Sequence, residues 1–101
     1  MWLLVFFDLP VGTKPQRRAA SRFRHFLLDD GYMMLQYSVY ARICRAEGGV
    51  DKHLRRVANN LPDTGSIRAL QITDRQYERT RILLGTVKPT EQAGAGQMLL
   101  L

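Results

Sequence analysis

Residues 1–10, MWLLVFFDLP, form an apolar run that drives into the carboxylate of Asp8 and stops at Pro10. A run this short and this rich in Val, Phe and Trp predicts a strand covered on both faces. Thr13 with Gln16 three residues on forms a capping box, and Pro15 suits the first turn of a helix. The helix is predicted to run to about Asp30, with Gly31 as its stop. Ala19, Ala20, Phe23, Phe26 and Leu27 share one of its faces, while Arg17, Arg18, Ser21, Arg22, Arg24 and His25 hold the other.

From Tyr32 to Cys44 the period falls to two. Met33, Leu35, Tyr37, Val39, Ala41 and Ile43 take one parity, and Met34, Gln36, Ser38, Tyr40 and Arg42 the other. This length fits one long strand or two strands with a sharp bend. Gly48-Gly49 breaks the chain, after which Val50, Leu54, Val57, Ala58 and Leu61 recur at helical spacing, with Lys52, His53, Arg55 and Arg56 facing out. Ser66–Thr73 is extended, Asp74-Arg75-Gln76 reads as a turn, and Arg79–Leu84 reads as a last strand. The expected architecture is α+β: a ferredoxin-like βαββαβ domain over 1–86 with an additional C-terminal strand. Residues 87–101 read as a flexible linker and an apolar tip that docks on a second copy or another partner. Because the first strand is apolar at both parities, sheet-to-sheet packing into a homodimer is expected.

Composition narrows the class. At 101 residues with 46% apolar side chains, one globular domain is expected. The opening run is too short to cross a bilayer, which takes about 20 residues, and it lacks the flanks of a signal peptide. A cytoplasmic protein without a membrane partner is therefore expected. Cys44 is the only cysteine, which excludes an intrachain disulfide and suits a buried core thiol. The net charge is +6, and Lys14, Lys52 and Lys88 are the only lysines, so arginine carries the excess. The guanidinium fork fits phosphate, which points to nucleic acid or another polyanion.

Few residues offer catalysis. His25 and His53 sit among arginines and read as solvated. No Gly-rich phosphate loop follows a strand, and Ser21 and Ser38 lack a neighbouring base. Asp8 is left, with two readings open: a cap for turn amides, or a metal ligand. Mg2+ keeps several waters, so one or two carboxylates can hold it beside a phosphate. Two Asp8 side chains across a twofold axis would make such a site and could serve phosphodiester hydrolysis.

Four segments together resemble a known family. They are Phe-Asp-Leu-Pro closing the first strand, the arginine-rich helix, Gln36-Tyr37-Ser38-Val39-Tyr40 with Ala41-Arg42, and Arg79-Thr80-Arg81-Ile82-Leu83-Leu84-Gly85. Over about residues 2–85 the chain is similar to the small CRISPR-associated family of spacer acquisition. The resemblance implies a ferredoxin-like homodimer with a strand exchanged near the C-terminus, in complex with the larger CRISPR integrase subunit. It implies a DNA-binding scaffold for spacer integration, with a Mg2+-dependent endonuclease activity on RNA or DNA described for members of the family.

Residue by residue, Asp8 matches the catalytic, metal-binding acid, and Arg17 or Arg18 an early basic position of the helix. Tyr40 matches an aromatic position and Ser38 the turn between the second and third strands, both near the dimer axis. Lys14, Arg17, Arg18, Arg22, Arg24 and Arg42 are the expected nucleic-acid contacts. Phe7 departs from the Tyr that many members carry before the acid, which weakens the nuclease expectation and leaves the scaffold untouched. A stand-alone, toxin-like metal-dependent ribonuclease and a non-catalytic RNA-binding module are the alternatives.

Overall fold

The computed structural model describes residues 1–85. In chain order the elements are β1 (Trp2–Asp8), α1 (Lys14–Asp29), β2 (Met33–Gln36), β3 (Val39–Ile43), α2 (Gly49–Ala58), β4 (Ser66–Ile72) and α3 (Asp74–Glu78). The strands form one antiparallel sheet in the order β2-β3-β1-β4. This is the expected ferredoxin-like βαββαβ arrangement. The expected linker and apolar tip over 87–101 lie outside the described residues.

β1 takes the centre of the sheet because it is apolar at both parities. Its register sets Trp2, Leu4 and Phe6 against Ile43, Ala41 and Val39 on one side and Ile72, Leu70 and Arg68 on the other. Leu3, Val5 and Phe7 point the opposite way, into a core shared with Phe23 and Leu27 of α1, Tyr40 of β3 and Val57 of α2. Trp2 and Ala41 join Tyr77, with Leu4, Met33, Leu35, Ile43 and Ile72 around them, in a second cluster on the other face.

Local chemistry explains the joints. Thr13 Oγ1 accepts from Gln16 N–H at 3.3 Å, and Gln16 Oε1 accepts from Thr13 N–H at 3.0 Å, so the expected capping box starts α1. Gly31 ends it with φ +91°. The alternating segment is a hairpin with Tyr37 and Ser38 at its turn. No helix among the described residues is long and apolar enough to cross a membrane.

Three expectations are corrected. Tyr40 sits beneath the helices rather than on a polar sheet face, because its register opposite Val5 turns it to the same side as Val5. α2 ends at Ala58 and buries His53 and Val57, leaving Leu54 and Leu61 exposed; its inward stripe is rotated from the apolar residues alone. Asp74–Glu78 is a helix rather than a turn, and Arg79–Leu84 forms no strand among the described residues. A second capping box, Thr73 with Gln76, starts α3, and Tyr77 then stacks on Trp2 at 3.8 Å with rings 10° apart. That stack turns the chain across the sheet face, away from the strand edge where a ladder could continue.

Tyr32 supplies a direct check on core packing. Its phenol is buried, which pushes its pKa up, and its Oη has no hydrogen-bond partner among the described residues. Leaving a buried hydroxyl unpaired is unfavourable, whereas removing it is close to neutral. Tyr32→Phe is expected to leave stability unchanged or raise it by up to about 1 kcal/mol in urea unfolding. A loss of comparable size would mean that the hydroxyl has a partner.

Candidate functional site

The C-terminal end of β1 gathers most of the chemistry. Asp8 is exposed there, opposite Ser66 in the β4 register. Strand alternation places it on the face of Trp2, Leu4 and Phe6, turned away from the helices. Phe7 N–H donates to the Ser38 carbonyl at 3.1 Å, tying the β2–β3 turn to the residue before Asp8. Gly65 closes the other flank with φ +111°; a Cβ there would lie 2.9 Å from the Asp8 carbonyl oxygen and 2.6 Å from Leu9 Cδ2. Only glycine gives that approach.

The Asp8 carboxylate holds no ion pair or side-chain hydrogen bond among the described residues, so it is free to take a cation or to cap a turn. No three His, Cys, Asp or Glu residues converge among the described residues. A Mg2+ ion at the end of β1 would meet Asp8, the one acid of that strand. Such an ion is held largely by water and phosphate oxygens, and one or two carboxylates suffice; Asp8 fits it. Phe7, whose missing hydroxyl was the departure from the family pattern, buries its ring on the helix side between Phe23 and Tyr40. It occupies the opposite face of the strand from Asp8.

Lys14, Arg17, Arg18 and Arg22 are exposed on α1 as expected. Lys14, Arg18 and Arg22 recur every four residues and so form one row along the helix, while Arg17 reaches back to the Val11 carbonyl at 3.1 Å. No acidic residue stands in the first turn to neutralise them. His25 is exposed as expected, its Nδ1 2.9 Å from the Ser21 carbonyl.

Arg24 and Arg42, expected among the phosphate contacts, are engaged inside the fold. Arg24 lies over the ring of Tyr37 at 4.1 Å and of Phe7 at 5.2 Å, and its Nη2 donates to Ser38 Oγ at 3.4 Å. Its helix position explains this, since Arg24 follows the buried Ala20 by four residues and precedes the buried Leu27 by three. Burial raises the pKa of the Tyr40 phenol, and Arg24 beside it partly offsets the rise. Arg42 donates to the carbonyls of Asp30 and Ile43 and packs beside Gly31 and the Tyr32 ring. It closes the end of α1 instead of facing solvent.

His53 is the residue that sequence reasoning misplaced. It is buried, and its Nδ1 donates to Asp30 Oδ2 at 2.9 Å, while Arg56 Nη1 donates to Asp30 Oδ1 at 2.6 Å. Burial works to raise the Asp30 pKa, but the bonds from His53 and Arg56 outweigh it and hold the carboxyl below its ordinary value. The available signal was spacing: His53 stands three residues after Val50 and four before Val57, on the inward stripe. Cys44 is buried, as expected, and burial raises the pKa of its thiol.

The family model described as CRISPR associated protein Cas2 matches residues 1–80. A relative from Flavobacterium psychrophilum named CRISPR-associated endoribonuclease Cas2 is 44% identical over 99 residues, covering 98% of this chain and 85% of its own. Relatives of the same name from Acidovorax ebreus and Lacticaseibacillus rhamnosus are 49% identical over 85 residues and 37% identical over 101. They cover 84% and 100% of this chain, and 83% and 100% of their own lengths. The crystal structure of Streptococcus pyogenes Cas2 at pH 6.5 superposes with a TM-score of 0.61 at 24% identity, covering 82% of this chain and 99% of that one. That likeness concerns the fold.

Proposed function

The chain belongs to the CRISPR-associated protein Cas2 family, and from that premise we propose that it acts in spacer acquisition as a homodimeric DNA-binding scaffold whose Asp8 residues form a Mg2+-dependent endonuclease centre. The observation that carries the binding part is the row of Lys14, Arg18 and Arg22, exposed along α1 with no acid in its first turn. Such a row follows duplex phosphates without reading sequence. The larger integrase subunit of the same system is the protein partner this role calls for.

The dimer reading is supported by the sheet face opposite α1 and α2. There Leu4, Leu35, Val39, Ile72 and Tyr77 line an open groove of about 790 Å3. Leu70 is 51% exposed beside it, and Leu83 and Leu84 stand 93% and 97% exposed. An apolar surface of this kind calls for a cover, and a second copy supplies one of matching chemistry. Asp8 shares that face, so copies packed through it bring two carboxylates towards each other. Like charges there would repel without a cation between them. When bound, a divalent cation supplies Lewis-acid polarisation of a phosphodiester. The chain itself contributes the carboxylates that place the cation and the arginine row that holds and orients the flanking phosphates.

The test is duplex DNA binding as a function of salt. The log–log slope is expected to be about −0.9 per phosphate contact. Arg18→Glu with Arg22→Glu is expected to weaken binding about 10- to 100-fold at low salt and flatten the slope by about two per protomer. An unchanged slope would remove the α1 row from the interface. A second reading, a stand-alone ribonuclease, is favoured by the names of the relatives and by the free Asp8 carboxylate. An RNA-binding module could not use Tyr40 to stack bases, because Tyr40 is buried.

A further inference from the structure

Tyr37 stands out among the aromatic side chains because it is 70% exposed yet held in place. It occupies the short turn between β2 and β3, and the Arg24 guanidinium lies 4.1 Å from its ring centroid. The same guanidinium is 5.2 Å from the ring of Phe7, which in turn stacks on Tyr40 at 5.7 Å with planes 26° apart. Tyr37 is thus the outer layer of a stack whose inner layers are buried. One face of its ring is occupied by a cation, and its exposure leaves room for a planar group on the other.

We propose that Tyr37, backed by Arg24, is a stacking platform for one unpaired nucleobase of a single-stranded nucleic acid. The proposal rests on the nucleic-acid reading above and adds to it a ligand feature that the α1 row does not select. Every base has a π-face, so an aromatic ring receives it whatever the sequence. A base within a duplex has both faces covered by its neighbours and cannot use the platform. Because Arg24 already fixes the ring, little side-chain freedom is lost on binding. The Phe7–Ser38 hydrogen bond at 3.1 Å ties this turn to the residue before Asp8, so a strand stacked on Tyr37 lies at the same end of β1 as the carboxylate. A second copy of the chain is the competing occupant. It is disfavoured because Arg24 comes from α1 and holds Tyr37 on the helix side, whereas the open apolar groove is on the other face.

The test uses fluorescence anisotropy in EDTA, so that no cleavage intervenes. The probes are a labelled single-stranded DNA oligonucleotide and the same strand annealed to its complement. Tyr37→Ala is expected to weaken single-strand binding about 5- to 100-fold and to change duplex binding by less than about twofold, since the phosphate contacts on α1 remain. Tyr37→Phe keeps the ring and is expected to match the wild type on both probes. Equal losses on the two probes, or no loss on the single strand, overturn the platform. So does a shift of Tyr37→Ala towards monomer in sedimentation, which would assign the ring to the contact between copies. A wild-type protein that binds neither probe refutes the nucleic-acid reading itself; wild-type binding that Tyr37→Ala leaves intact refutes the platform alone.

Discussion

Asp30→Ala is expected to lower the stability of the fold by about 1–3 kcal/mol, the range for leaving a buried polar group without its partner. The Asp30 and His53 side chains are only 8% and 7% exposed. One Asp30 oxygen accepts from His53 and the other from Arg56, while its backbone carbonyl accepts from Arg42. Asp30 therefore ties the end of α1 to both α2 and β3. Alanine leaves the His53 N–H buried without an acceptor, a cost that a well-packed apolar pair would not carry. Against a total of about 5–15 kcal/mol for an ordinary domain, that loss is a substantial fraction of the whole. Urea unfolding measures it as a lower midpoint at unchanged slope; a loss under about 1 kcal/mol would mean that the triad contributes little.

The same cluster has a defined acid dependence. The folded Asp30 carboxyl has a pKa below its ordinary value of 3.8. The unfolded chain therefore binds the proton first as the pH falls, and the stabilisation is complete only above that ordinary value. It is lost as the pH drops from there through the lower folded value. The part of the stability gap between wild type and Asp30→Asn that comes from the carboxylate is expected to shrink as the pH falls below about 4. A gap that persists undiminished well below that pH would place the effect outside the carboxylate.

Periodicity carried the architecture because each element announces itself locally. The run at Trp2–Phe7, the Thr13–Gln16 box and the period-two segment around Tyr37-Ser38 need no tertiary information to be read. The Thr73–Gln76 box has the same spacing as Thr13–Gln16, so α3 was also legible and was masked by apolar residues read as a strand. The misplaced site residues are of another kind. Arg24, Arg42 and His53 are amphipathic, and their polar tips can be met by groups far away in sequence: Ser38, the Asp30 carbonyl and the Asp30 carboxylate. Pattern alone assigns such side chains to solvent. Tyr40 was misread because its parity mates Gln36, Ser38 and Arg42 are polar, although they lie at the turn and the rim of the sheet. Asp8, a carboxylate at the end of a buried strand, is exposed there, as its desolvation cost requires.

Under the function proposed above, that exposure makes Asp8 the residue at which cutting and binding would separate. Asp8→Asn is expected to reduce Mg2+-dependent cleavage of single-stranded RNA or DNA by about 100-fold or more, the loss of several kcal/mol of transition-state stabilisation. Stability is expected to move by no more than about 0.5 kcal/mol, because the side chain is exposed and makes no ion pair among the described residues. Duplex binding in EDTA is expected to hold or to tighten slightly, since in the proposed dimer a negative charge would be removed beside phosphates and from between the two copies. Arg18→Glu with Arg22→Glu reverses this pattern, losing duplex affinity with the Asp8 carboxylate intact. Wild type and Asp8→Asn are compared in matched preparations with and without Mg2+. Equal residual cleavage by the two would assign the activity to something other than this carboxylate and leave the protein a scaffold. Loss of cleavage together with loss of duplex binding would make Asp8 a part of the fold or of the dimer. The combination expected here, cutting lost and binding kept, requires a carboxylate that acts on the bound strand and contributes nothing to holding it.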